Sequence, residues 1–195
     1  LHRLIRRQRQ MCIRDRSGRV TPYYVDLRII PSFPDAFQSI SEIYINAIRK
    51  MIGEEKFDRV SGIPLAGMAF AVLAAFHLNK PFIYVRQKRQ LQGRERRVEG
   101  ILMPGDRVLL IDDLVTTGLS LERAALAIKA EGGVVTDAFV LLDREEGGRE
   151  RLARNGITLH SVLKITSVAK RLFEMNAIDE EQLEIILNQV KKKES

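Results

Sequence analysis

Apolar positions along this chain switch between two periods. Short runs of β-branched and aliphatic residues alternate with stretches at helical spacing from residue 57 onward. "FDRVSGIP" (57–64) predicts a short strand closing in a turn, and "LAGMAFAVLAAFHL" (65–78) a helix buried on several sides. "PFIYVR" (81–86) and "DRVLLI" (106–111) predict two more strands. "SLERAALAIKAEGG" (120–133) predicts a helix with a glycine stop. "VVTDAFVLL" (134–142) predicts a strand, "DREEGG" (143–148) a turn and "ITLHSVLKI" (157–165) a last strand. Two helices follow, near 166–175 and 179–191, the second opened by Asp179.

Before residue 57, "VTPYYVDLRII" (20–30) is β-branched and aromatic and predicts a strand, broken by Pro31 and Pro34. Asp35 is the expected N-cap of a helix over 36–52, with Phe37, Ile40, Ile43, Tyr44, Ala47, Ile48 and Met51 at helical spacing and Gly53 ending it. Strand–helix alternation implies an α/β fold: one domain with a mostly parallel central sheet flanked by helices. Ligands of such sheets bind at the carboxyl ends of the strands.

Composition narrows the class. The chain has 195 residues, enough for one domain with a substantial core, and its 45% hydrophobic and 29% charged content is ordinary for a globular protein. No apolar run approaches the roughly 20 residues needed to span a bilayer, and no signal peptide is evident, so the expected location is cytoplasmic, with no membrane partner. A single cysteine, Cys12, rules out an intramolecular disulfide. The net charge of +7 suggests nucleic acid, but residues 1–16, "LHRLIRRQRQMCIRDR", carry +5 of it. "QMCIRDR" looks like translated sequencing-adapter DNA. Residues 1–16 are therefore expected to be non-native, with 17–195 as the domain and a true N-terminus missing. Nucleic acid is then not an expected partner, unless a missing N-terminal domain binds it.

The chemistry lies in "VLLIDDLVTTGLS" (108–120). Two adjacent acids at the end of a buried strand are costly unless something in solution needs them. The hydroxyl- and glycine-rich turn after them leads into a helix, whose N-terminal amides suit a phosphate. Carboxylates beside a phosphate site fit best if they hold the hydroxyls of an attached sugar or assist a magnesium ion; a phosphorylated ribose satisfies every part. His2, His77 and His160 form no catalytic or zinc-ligating pattern.

"VLLIDDLVTTG" resembles the signature of the type I phosphoribosyltransferases, which bind 5-phosphoribosyl 1-pyrophosphate (PRPP). "SGRVTPYYVDLR" (17–28) and "LLDREEGG" (141–148) are similar to segments of the orotate phosphoribosyltransferases within that family, and "VRQKRQLQGRERRVEG" (85–100) sits where they keep a mobile catalytic loop. The resemblance implies that fold, with a small N-terminal strand and helix as a hood. It implies transfer of phosphoribosyl from PRPP to orotate, giving orotidine 5′-phosphate and pyrophosphate in pyrimidine synthesis, with Mg2+ and in a homodimer.

Residue by residue, the resemblance gives Asp112 and Asp113 the ribose hydroxyls. Leu114, Val115, Thr116, Thr117, Gly118, Leu119 and Ser120 bind PRPP, wrapping its 5-phosphate from Thr116 onward. Arg144 pairs with the orotate carboxylate, as a planar guanidinium does well, with Tyr24 against the base and Thr116 beside it. "SGIPLAG" (61–67) matches the pyrophosphate-binding loop in position. Arg86, Lys88 and Arg89 are the expected loop cations at the leaving group. The family pattern is broken at Gln87, Gln90 and Gln92, where its bacterial and eukaryotic members carry two lysines and an aromatic position, and at Ala66, where bacterial members have a lysine. Those losses leave room for two other readings: a catalytically weak PRPP sensor that regulates, or a transferase for another base.

Overall fold

The computed structural model of the chain describes residues 13–14, 20–21, 23, 25–86 and 97–191. Two short strands, β1 (Ile13–Arg14) and β2 (Val20–Thr21), pair antiparallel. A helix α1 (Pro34–Met51) follows a 3-10 turn at Ile30–Ser32. The central sheet is built from β3 (Arg59–Gly62), β4 (Phe82–Val85), β5 (Val98–Glu99), β6 (Val108–Val115), β7 (Asp137–Asp143) and β8 (Thr158–Lys164). Between and after them run α2 (Ala66–His77), α3 (Leu119–Ala130), α4 (Gly148–Ala153), α5 (Ile165–Glu174) and α6 (Glu180–Lys191).

The sheet order is β5-β4-β3-β6-β7-β8, parallel throughout except for β5 at one edge. The chain runs outward from β3 to β4, then returns to β6 on β3's other side. The strand order therefore reverses between β3 and β6, the place where sheets of this kind open a ligand crevice. β3 stops at Gly62, opposite Ile111, whereas β6 continues to Val115. Asp112 and Asp113 thus lie beyond the end of β3, at that crevice. The expected strand over 106–111 is extended because the acids remain in the ladder, with Asp112 paired to Val140 and Leu114 to Leu142 on β7.

Helices cover both faces of the sheet, which is why β6 and β7 read as nearly continuous apolar runs. Leu109, Ile111 and Phe139 face a core closed by α1, α2, α5 and α6, through Tyr44, Phe70, Ala169 and Ile186. Leu110, Ala138 and Val140 face a second core with Leu121 and Ile128 of α3 and Leu152 of α4. The two ladder starts are tied by Asp58, which accepts from both Nε and Nη2 of Arg107 at 2.9 and 2.8 Å. That guanidinium holds the Asp58 carboxyl well below the usual carboxylate range.

Several expectations are corrected. Residues 20–30 are not one strand: beyond β2 the chain bends, Tyr23 and Leu27 are buried, and Ile30 enters the 3-10 turn. Pro31 fixes the backbone at that turn's start. The helix after it is capped by Phe33 with Pro34 in its first turn, so Asp35 lies inside that turn, where its charge favours the helix dipole. Two elements were not expected, β5 within 87–100 and α4 after the 143–148 turn; two and six residues show no period. Gly53 does end α1, at φ 95°, and its amide returns to the Ile48 carbonyl. Asp179 caps α6 in a reciprocal box with Gln182: the Gln182 amide donates to Asp179 at 2.8 Å and the Asp179 amide to Gln182 at 3.0 Å. Of residues 1–16, only Ile13 and Arg14 fall within the described residues.

Candidate active site

At the reversal point a cleft is lined by Asp112 through Leu121, by Arg144 and Arg123, by Ala66, and by Val25, Asp26 and Arg28 from the N-terminal segment. Its floor is the acid pair. Asp112 and Asp113 are 6% and 7% exposed, so their charges need support. The Asp113 amide donates to Oδ1 of Asp112 at 2.9 Å, and the Tyr44 hydroxyl donates to the Asp112 carbonyl at 2.7 Å. The first turn of α2 closes on the same carboxylate: a Cβ at Gly67 would stand 2.6 Å from its Oδ1. A helix N-terminus that close favours a negative charge. Burial, with the two acids next, raises the Tyr44 hydroxyl well above its usual pKa, so it stays a donor.

The turn after the acids is fixed by glycine. Gly118 takes φ 75°, which a side chain adopts at a cost, and it caps α3. Its backbone packs on Gly148 at the start of α4; a Cβ on Gly148 would lie 2.7 Å from the Thr116 carbonyl. The unexpected helix is thus the buttress of the turn. The first amides of α3 lack intrahelical acceptors, as in any helix, and face an anion readily. Arg123, one turn into α3 on the face of Ser120, adds a cation to the cleft wall.

Arg144 sits where β7 ends, its amide donating to the Val115 carbonyl at 3.0 Å. It is 2% exposed, pairs with Glu146 at 2.7 Å, and its Cζ lies 4.6 Å from the centre of the Tyr23 ring. Burial raises the Tyr23 hydroxyl, and Arg144 opposes that rise. Between them Glu145 adopts φ 54°, with its carboxylate turned away to accept from the Thr166 amide and hydroxyl at 3.1 and 2.6 Å. Asp143 accepts from the Glu145 amide at 2.8 Å; burial raises its carboxyl above the ordinary range.

The expected residues Asp112 to Ser120 and Arg144 therefore converge on one cleft. Arg86 does not line it: it follows β4 at the same carboxyl end of the sheet and pairs with Glu99 at 2.9 Å. Lys88, Arg89, Gln87, Gln90, Gln92 and Tyr24 lie outside the described residues. The "SGIPLAG" segment contributes Ala66 to the cleft lining and sets Gly67 against Asp112; the Pro64–Leu65 bond is cis. Among the described residues no group of three or more His, Cys, Asp or Glu side chains could hold a metal by itself. Sequence reasoning missed Arg123, Asp26, Arg28, Tyr44 and Glu146. The i,i+3 spacing of Ser120 and Arg123 was readable; Tyr44, at an apolar helix position, carried no signal beyond core.

Comparison with known proteins agrees with this geometry. Residues 30–168 match the family model described as phosphoribosyl transferase domain. The orotate phosphoribosyltransferase of Staphylothermus marinus is 44% identical over 173 residues, covering 88% of this chain and 82% of that protein. The Leishmania donovani UMP synthase structure superposes with a TM-score of 0.84 at 27% identity, over 98% of this chain and 40% of that one. This chain thus spans under half of that synthase. The Mycobacterium tuberculosis H37Rv orotate phosphoribosyltransferase in complex with PRPP superposes with a TM-score of 0.61 at 28% identity, over 73% of this chain and 81% of that one.

Proposed function

The chain belongs to the phosphoribosyltransferases, among the orotate phosphoribosyltransferases, and from that premise we propose that it transfers the 5-phosphoribosyl group of PRPP to orotate, releasing pyrophosphate and forming orotidine 5′-phosphate. The convergence of the acid pair, the Thr-Thr-Gly turn and Arg144 on one cleft carries this reading.

The bond from ribose C1 to pyrophosphate breaks ahead of attack, the leaving group takes the bonding electrons, and the ribose ring carries positive charge. The ring nitrogen of orotate then bonds to C1, and its proton passes to solvent. Asp112 and Asp113 accept hydrogen bonds from the ribose hydroxyls and hold two negative charges under that ring, which favours the transition state over the ground state. The 116–120 turn and the first turn of α3 hold the 5-phosphate, with Arg123 beside them. Arg144 meets the orotate carboxylate and fixes the attacking nitrogen in line. Lys88 and Arg89, and Arg86 once it leaves Glu99, would supply positive charge to the pyrophosphate.

Magnesium fits this donor set. The adjacent hard carboxylates of Asp112 and Asp113 lie in the cleft, and among the described residues they belong to no group of three ligands, as suits an ion held mostly by substrate phosphates. Bound there, it would neutralise charge on the leaving group.

A homodimer is part of the proposal. Leu65, Val72 and Phe76 are 76%, 47% and 77% exposed on one face of α2, a stripe that begins beside Ala66 at the cleft. Large apolar residues grouped this way favour a protein partner.

The test mixes the chain with PRPP, orotate and magnesium and follows the loss of orotate absorbance. Turnover is expected, falling ~10²–10³-fold in Asp113→Asn and lost in Arg144→Ala. PRPP binding by calorimetry without turnover would sink the proposal.

A further inference from the structure

We propose that Glu146 and Tyr23 are positioning residues that fix the Arg144 guanidinium, and that this clamp sets the preference for a carboxylated base. The inference rests on Arg144 reading the orotate carboxylate, as proposed above.

Arg144 combines two properties that rarely coexist. It lines the cleft, yet only 2% of it is exposed. An arginine side chain left to itself samples many rotamers and gains little from a single hydrogen bond. Here the freedom is removed from two directions. Oε1 of Glu146 stands 2.7 Å from Nη2 as a buried ion pair. Tyr23 supplies a second restraint, its ring centre 4.6 Å from Cζ. Both partners are themselves buried, at 3% and 6% exposure, and neither has room to swing. They arrive from different elements, Glu146 from the turn after β7 and Tyr23 from the N-terminal segment. The Glu145 carboxylate, held by Thr166, fixes the turn between Arg144 and Glu146.

Glu146 stays in place when a carboxylate binds. Expelling it would leave a buried unpaired anion beside the incoming one, which is strongly unfavourable. A guanidinium has five donors in a fork, so one part serves Glu146 while another meets substrate. The paired unit has little net charge. It therefore selects through directed hydrogen bonds to a planar carboxylate, and offers little to a diffuse anion such as free phosphate. That is how one cleft can keep its base subsite clear while holding three phosphates nearby.

The test measures KM for orotate and for PRPP, and orotate binding by calorimetry, in Glu146→Ala, Glu146→Asp, Glu146→Gln, Tyr23→Leu and Tyr23→Phe. Glu146→Ala and Tyr23→Leu are expected to raise the orotate KM about tenfold or more, since each removes one of the two restraints on the guanidinium. The PRPP KM should move less than about twofold, because its subsite is built from other residues. Glu146→Gln should reverse most of the rise in orotate KM seen in Glu146→Ala, and Tyr23→Phe most of that seen in Tyr23→Leu. Glu146→Asp keeps the charge but withdraws the oxygens by one methylene, so it should show the orotate-specific rise even if Glu146→Ala does not fold.

An unchanged orotate KM in Glu146→Asp, or a parallel rise in both KM values, would overturn the inference. Failure of the functional reading looks different. A wild-type chain without turnover defeats that reading, and calorimetry still decides this one. Orotate binding that weakens in Glu146→Asp upholds it, whereas no orotate binding by the wild-type chain overturns it.

Discussion

Asp112 is buried yet lies where an ionised carboxylate is wanted, and three neighbours make that tolerable. The Asp113 amide and the α2 N-terminus at Gly67 meet its side chain, while Tyr44 holds its carbonyl. Tyr44 stacks on Phe70 with ring centres 5.3 Å apart and tilts against Phe139 at 5.2 Å, so its hydroxyl is delivered by a packed aromatic cluster. Tyr44→Phe keeps that packing and removes the donor alone. It leaves a buried carbonyl short of a partner, and an unfolding free energy lower by about 1–3 kcal/mol is expected in urea titration. With the main chain of Asp112 less firmly held, the PRPP KM should rise while the orotate KM stays nearer its wild-type value. Equal stability of the two proteins would show that the hydroxyl does not anchor the acid pair.

The turn that follows the acids is shaped by another element, and adjacent glycines separate two reasons for having no side chain. Gly148 meets backbone: a Cβ there would lie 2.7 Å from the Thr116 carbonyl and the Val115 side chain. Gly147 meets nothing within 4 Å but takes φ 85°. Gly148→Ala is therefore expected to displace the 116–120 turn; a shift of about 1 Å at a positioned group costs up to ~10²-fold in kcat/KM. Gly147→Ala should cost roughly 1–2 kcal/mol in thermal or urea unfolding and leave the PRPP KM alone. Steady-state kinetics beside melts of both variants check the contrast. None of this was visible in "DREEGG", which reads only as a turn. What was legible had period or length behind it: β3, β4, β6, β7, β8 and the longer helices all stand where the apolar spacing places them. The acids and the hydroxyl- and glycine-rich turn were legible because buried acids beside an anion-binding turn are expensive to keep without a ligand, whereas Arg144 was legible only through the family resemblance. The hood was misread, because "VTPYYVDLRII" has strand composition but Leu27 and Ile30 are buried by packing under α1 instead of by pairing. Tyr44 acts through a tertiary contact 68 residues away that no local pattern carries, whereas Glu146 pairs with Arg144 two residues before it, and the sequence did not show that this pair is buried.

At the scale of the whole molecule the apolar face of α2 decides between two states. α2 is apolar on all sides; Phe70, Ala71, Ala74 and Ala75 fill the core, while Val72 and Phe76 point outward. A helix apolar all round is normally covered on every side. A second copy of the chain would cover this one, and a two-fold contact sets the same stripe against itself. Such an interface needs roughly 800 Å² from each partner to be stable, so the two side chains would be its centre, not its whole extent. Sedimentation equilibrium is expected to give a dimer for the wild-type chain and a monomer for Val72→Asp with Phe76→Asp, since two buried carboxylates facing their own copies cannot be paired. Both positions are exposed within one subunit, so the folded monomer should keep its helix content by circular dichroism. If a neighbour's 87–96 segment completes the cleft, the monomer should bind PRPP more weakly and lose turnover together. A monomer with full activity would leave the α2 stripe as a dimer contact and place every catalytic group within one chain.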